Sequence, residues 1–73
     1  MEGTIARIIH ERGFGFIHAQ NGQEVFFHYS SLHQLDFSRL REGLNVEFEL
    51  QRTGKGPRAA NVRLSWTELK PLV

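Results

Sequence analysis

Phe14 and Phe16, one residue apart, and the later run Phe26-Phe27-His28-Tyr29 are the side chains of this 73-residue chain best suited to chemistry. In an extended strand alternate side chains share a face, so Phe14 and Phe16 point one way and Gly15 and Ile17 the other. By the same rule Phe26 and His28 share one face, and Val25 and Phe27 the opposite one. If Ile17, Val25 and Phe27 fill a core, then Phe14, Phe16, Phe26 and His28 stand together outside, and a contiguous exposed apolar patch marks an interaction surface. Flat π-surfaces held in this way stack the bases of a single nucleic-acid strand, each base contributing ~1–3 kcal/mol with little dependence on its identity. Arg12 just before the first pair, and Lys55 and Arg58 in a later segment, supply cations to neutralise phosphates beside the rings.

Other chemistries fit the sequence less well. The four histidines, His10, His18, His28 and His33, have no cysteine beside them and no paired-ligand spacing on a helix, so no metal site is expected. His28 next to Ser30 resembles a base beside a nucleophile, yet no acidic orienter or oxyanion donor accompanies them, so no catalysis and no cofactor are expected. The rival to nucleic-acid binding is a protein-interaction module whose aromatic face docks a partner, a reading that the net charge of only +1 supports. Charge is uneven, however: Arg52, Lys55, Arg58 and Arg63 crowd one late segment, with Glu42, Glu47 and Glu49 just before it.

The elements that must position these side chains are short and closely punctuated. Glu11-Arg12-Gly13, Gln20-Asn21-Gly22, Arg41-Glu42-Gly43 and Thr53-Gly54-Lys55-Gly56-Pro57 are turn signals, and Asn21-Gly22 suits the primed turn that joins antiparallel strands. Between them lie five strand candidates, residues 5–10, 14–18, 24–29, 46–51 and 60–64. Val46, Phe48 and Leu50 alternate with Glu47, Glu49 and Gln51, and Ala60, Val62 and Leu64 repeat the pattern. Short connections between few strands suit a sheet closed on itself, so the expectation is an all-β barrel. Alternation alone places Tyr29 on the inner face. Residues 31–41 are expected to form a short helical turn behind a serine cap and then a loop. Trp66 is expected to plug the barrel, and the tail to continue the last strand and then fray.

The totals bound the rest. A domain of this length buries only ~60% of its unfolded surface, leaving room for one core and no second domain. With no cysteine, stability comes from apolar packing, and a cytoplasmic setting is expected. No window approaches the ~18 apolar residues of a membrane span, so no membrane is expected as partner.

The residues also resemble a known family, the cold-shock domain. Gly13-Phe14-Gly15-Phe16-Ile17 is similar to its first ribonucleoprotein motif and Val25-Phe26-Phe27-His28-Tyr29-Ser30 to its second, with six residues between Ile17 and Glu24. The resemblance continues through Glu42-Gly43, Val46, Phe48, Lys55-Gly56-Pro57 and Ala59-Ala60-Asn61-Val62, covering roughly residues 3–64. It implies a five-stranded antiparallel OB-fold β-barrel over residues 1–65, with 66–73 as a C-terminal tail, acting as an RNA-chaperone-like monomer or weak homodimer. It further implies single-stranded RNA or DNA as partner. Stacking would fall to Phe14, Phe16, Phe26, His28, Tyr29 and Phe37, and phosphate or base contacts to Arg12, Lys55 and Arg58. Where the family's first strand usually carries Lys-Trp-Phe, this chain has Ala6-Arg7-Ile8. Arg7 is expected to stack through its guanidinium, and binding to be weaker than in a typical member.

Overall fold

Alternating apolar residues set the first strand against the others, but the strand does not alternate throughout. In the computed structural model, which describes residues 1–69, β1 is Glu2–Ile9, β2 Phe14–Ala19, β3 Glu24–His28, β4 Asn45–Thr53 and β5 Gly56–Leu64. They close into a barrel in the order β1-β2-β3-β5-β4, with β1 also paired to β4. Four of the pairings are antiparallel and the fifth, β3 with β5, is parallel, so the barrel is not antiparallel throughout. The parallel contact follows from topology: the long connection over residues 29–44 and the β4 strand return β5 to the free edge of β3 in the same direction.

The inner face is fully apolar. Ile5, Ile17, Val25, Phe27, Val46, Phe48, Ala59 and Val62 are buried, and Leu40 closes the barrel end from the connection. Two bulges break the alternation. In β1, Ile5 faces Ile17 and Arg7 faces Phe16, so Ala6 is an extra residue and Arg7 turns to the outside although it lies two positions from buried Ile5. In β5, Glu47 faces Arg63 and Glu49 faces Ala60, and the extra residue is accommodated where Asn61 adopts a φ of 49°. An asparagine tolerates this left-handed conformation better than most residues. The consequence is a correction: Ala59, not Ala60, enters the core with Val62.

The connections differ from the sequence expectations in four places. Gly22 takes a φ of 90° but Asn21 does not have positive φ, so the β2–β3 hairpin is not a primed turn. Gly22 N–H donates to the Ala19 carbonyl and Ala19 N–H to the Gln23 carbonyl, the pattern of a three-residue loop with a glycine bulge. Residues 29–41 form two 3-10 turns, Tyr29–Ser31 and Phe37–Arg39, capped by the side chains of His28 and Asp36 and not by a serine. Because β3 ends at His28, Tyr29 leaves the alternation and is 55% exposed instead of facing inward.

The last difference is at the end of the chain. Trp66–Leu69 is a short helix, not a continuation of β5, and Trp66 is 67% exposed, so it does not plug the barrel. The turn is tied down by polar contacts. Ser65 is buried and donates to Glu2, while Glu68 accepts from the backbone and side chain of Asn45. The remaining expectation for the tail, over residues 70–73, lies outside the described residues.

Candidate nucleic-acid interface

The register of the sheet assembles the site. On the outer face one line of cross-strand neighbours runs Arg7, Phe16, Phe26, Arg58 across β1, β2, β3 and β5. At a strand spacing of ~4.8 Å this line is about 14 Å long. The neighbouring line places Ile9, Phe14 and His28 side by side. Phe14, Phe16 and Phe26 therefore form a triangle, with ring centroids 6.0, 5.6 and 6.1 Å apart. All three rings are half-buried, while their strand neighbours Gly15, Ile17, Val25 and Phe27 are fully buried on the opposite face.

Cations stand at both ends of the aromatic line. The Arg58 guanidinium lies 5.9 Å from the centre of the Phe26 ring, within cation–π range. Phe16, Phe26, Thr53, Lys55, Gly56, Pro57 and Arg58 line a cleft of about 320 Å³, so the β4–β5 hairpin tip forms one wall beside the rings. Arg7 is exposed at the other end. Arg63 does not join this group, because it lies 3.5 Å from Glu47 on the adjacent strand. The late basic segment is thus divided: Lys55 and Arg58 reach the cleft, and Arg63 faces an acid.

A second aromatic row borders the triangle. His28 and Tyr29 rings lie 4.3 Å apart, Tyr29 and Phe37 6.3 Å, and Phe37 and His10 5.4 Å. Phe37 also packs 6.4 Å from the core ring of Phe27, so it closes the barrel end and extends the outer row at once. Its position is fixed by Asp36, which accepts from the Ser38 hydroxyl at 2.8 Å and the Ser38 N–H at 3.1 Å. These two hydrogen bonds, with help from Arg39, hold the Asp36 carboxyl below its ordinary range. Arg12 is exposed on the 3-10 turn His10–Arg12 that joins β1 to β2 and is drawn into none of the described ring contacts.

Two glycines shape the platform from beneath. A Cβ on Gly13, whose φ is 73°, would lie 2.6 Å from the Tyr29 ring, so the ring rests directly on this glycine. Gly15 faces inward, where a Cβ would meet the Arg7 carbonyl oxygen at 2.5 Å and Phe27 at 2.9 Å. Its lack of a side chain lets β1 and a core ring approach, instead of leaving space between Phe14 and Phe16. The motif reading did not single out His10, Ser30, Thr53 or Pro57 for the site. His10 and Ser30 lie just past strand ends, where alternation carries no information. Thr53 and Pro57 line the cleft from the tip of the β4–β5 hairpin, where Arg52 faces Pro57 and Thr53 faces Gly56.

A small closed barrel with clustered outer rings flanked by cations defines a nucleic-acid-binding module of the OB class. The comparisons narrow the class. The model of the 'Cold-shock' DNA-binding domain family matches residues 1–65, and the chain belongs to this cold-shock domain family. It is 41% identical over 61 residues to the major cold shock protein of Streptococcus pyogenes serotype M6, covering 84% of this chain and 91% of that one. It is 42% identical over 62 residues to cold shock-like protein CspC of Bacillus cereus, covering 85% and 95% of the two chains. Among solved structures, drosophila Unr CSD456 matches with a TM-score of 0.70 at 30% identity, over 88% of this chain and 26% of that larger chain.

The position of Arg7 makes a direct prediction. Arg7→Trp adds a ring at the end of the line beside Phe16. Affinity for an oligothymidine strand is expected to rise by ~1–3 kcal/mol, the contribution of one stacked base. Unchanged affinity in a fluorescence titration would show that this end of the line takes no base.

Proposed function

We propose that this chain binds single-stranded RNA or DNA with low sequence specificity and keeps such strands open in the manner of an RNA chaperone, without catalysis. The observation that carries the reading is the triangle of Phe14, Phe16 and Phe26 on the outer face, with Lys55 and Arg58 beside it. Stacking uses the π-face that every base possesses and leaves base edges unread, which accounts for low specificity. Opening a strand by binding its exposed bases needs no chemical step. His28, Tyr29 and Phe37 extend the stacking surface in this proposal, and Arg7 and Arg12 add contacts at its margins.

Residues 1–65 are proposed as the binding unit and 66–73 as an appendage to it, in a monomer or weak homodimer. Absence of cysteine supports a cytoplasmic setting. Among the described residues no helix is long and apolar enough to cross a membrane.

Salt dependence tests the proposal. Affinity for single-stranded oligonucleotides is expected to exceed that for duplex and to fall with rising salt, because each neutralised phosphate releases counterion. On single strands each phosphate contact contributes ~0.7 to the logarithmic slope, so Lys55→Ala and Arg58→Ala should each flatten it by about that amount. No binding to RNA or DNA strands at low salt would overturn the proposal and give the face to a protein partner.

A further inference from the structure

The side chain of His28 is fixed more closely than a stacking surface requires. Its Nδ1 accepts a hydrogen bond from the Ser30 backbone N–H at 3.2 Å and lies 2.8 Å from the Ser30 hydroxyl. A backbone N–H can only donate, so this geometry uses Nδ1 as an acceptor, a role the ring offers in its Nε2–H tautomer. The hydroxyl then also donates to Nδ1, and the ring proton sits on Nε2. Flipping the ring would set a C–H in place of Nδ1 and lose both Ser30 contacts, and in either orientation the ring packs on Tyr29, 4.3 Å away at an interplanar angle of 35°, which itself rests on Gly13. The Tyr29 N–H donates to the Gly13 carbonyl at 2.9 Å, which ties this support to the start of β2. Nε2 has no hydrogen-bond partner among the described residues, and across the sheet His28 is the neighbour of Phe14.

We propose that Ser30 is a positioning residue that holds His28 in the Nε2–H tautomer, so that the ring presents one hydrogen-bond donor to an acceptor oxygen of the bound strand next to the base stacked on Phe14. The inference rests on the proposed binding of single strands for its ligand, but the tautomer is a property of the free protein. With Nδ1 occupied by Ser30, the same ring stacks with its face and donates with its outer edge. A serine two residues after the histidine supplies this in one turn: the 3-10 turn Tyr29–Ser31 brings the Ser30 N–H and hydroxyl back onto the side chain of its own cap residue. Stacking alone gives no reason for either bond, since a phenylalanine would stack equally well.

Imidazole nitrogen resonances of the full chain, read by proton–nitrogen correlation in mildly alkaline buffer, test the first half. The expected spectrum for His28 has one unprotonated-type Nδ1 and one protonated-type Nε2 signal; Ser30→Ala, which removes the hydroxyl and keeps the backbone N–H, moves both part of the way toward the averaged values of a tautomer mixture, and Ser30→Thr restores them. A Nδ1–H form or an even mixture in the natural chain overturns the proposal, and no change in Ser30→Ala overturns the role of the hydroxyl, leaving the tautomer to the backbone N–H alone.

Binding tests the second half. Ser30→Ala is expected to weaken affinity for oligothymidine by up to about 2-fold, the factor by which an even tautomer mixture dilutes the competent ring, and Ser30→Thr to restore it. An abasic phosphodeoxyribose strand of equal length separates the oxygen's source: if the Ser30→Ala loss persists there the acceptor is a phosphate oxygen, and if it vanishes the acceptor is a base carbonyl. Equal affinity of natural chain and Ser30→Ala for oligothymidine overturns the donor role. Failure of the natural chain to bind any strand overturns the proposed function instead, and the nitrogen spectrum still decides whether Ser30 sets the tautomer.

Discussion

Phe16→Ala combined with Phe26→Ala is expected to abolish measurable binding of short oligonucleotides at physiological salt. In the proposed function each ring carries one stacked base, and losing a stack costs ~1–3 kcal/mol, or roughly 5- to 150-fold in affinity. The two losses are expected to combine. Phe16 and Phe26 are cross-strand neighbours with centroids 6.1 Å apart, so they serve adjacent positions of one surface. Phe26→Ala also removes the ring beneath the Arg58 guanidinium, releasing that cation from its place in the cleft. The single variants separate these contributions: Phe26→Ala should lower both affinity and salt slope, and Phe16→Ala chiefly affinity. Neither ring belongs to the core, so thermal unfolding of the variants should remain cooperative. Affinity unchanged in the double variant would show that the rings do not hold the strand.

The platform was legible in the sequence to the extent that simple alternation governs it. From Phe14 to Ile17 and from Val25 to His28 every side chain lies on the face that strict alternation assigns, because both strands are paired on both sides without a bulge between them. Where a bulge intervenes the rule fails. Arg7 reaches the outer line only because Ala6 is inserted, and Ala59 replaces Ala60 in the core only because Asn61 adopts a left-handed conformation. Neither event leaves a clear mark in the sequence: alanine is indifferent, and an asparagine within a strand is no more than a hint. The chain terminus shows a different limit. Trp66 is large and apolar, but Ile5, Val25, Phe27, Val46 and Phe48 already fill a barrel of this size, so the ring stays outside while Ser65 and Glu68 dock the turn through polar bonds.

Local hydrogen bonding accounts for most of the remaining misses. Tyr29, Ser30 and Phe37 are placed by short turns whose caps are a histidine and an aspartate, and a histidine cap is not among the usual signals for a helical turn; His10 opens a turn with no side-chain cap at all. The fold therefore emerges from the long-range alternation of apolar residues, while the edge of the candidate site depends on side-chain contacts two residues apart in the chain. The crowding of Arg52, Lys55, Arg58 and Arg63 in one late segment was legible, but its division was not: Arg63 pairs with Glu47, while Lys55 and Arg58 line the cleft.

Gly15→Ala separates two explanations of a glycine set between two exposed rings. If the glycine serves to keep the platform flat, alanine will impair binding and leave stability unchanged. The geometry argues the reverse. Gly15 is buried on the inner face, and the new methyl would lie 2.5 Å from the Arg7 carbonyl oxygen and 2.9 Å from two carbons of Phe27. The carbonyl belongs to the strand paired with β2 and cannot retreat without opening the β1–β2 ladder; Phe27 cannot retreat without disturbing the centre of the core. Overpacking of this kind costs ~1–3 kcal/mol, and more where backbone must move. A domain of this size has only ~4–11 kcal/mol in total, and each kcal/mol lost lowers its Tm by about 4–8 °C. Phe27→Ala removes the ring that fills this space and is expected to cost ~3–5 kcal/mol, enough to unfold much of the population at the lower end of that range. In the double variant the methyl meets a cavity instead of a ring, so the two losses should be less than additive. Urea unfolding of the four proteins reads all of this at once, and full additivity, or a Gly15→Ala midpoint equal to that of the natural chain, would refute the close approach of Gly15 to Phe27 as the reason for the glycine.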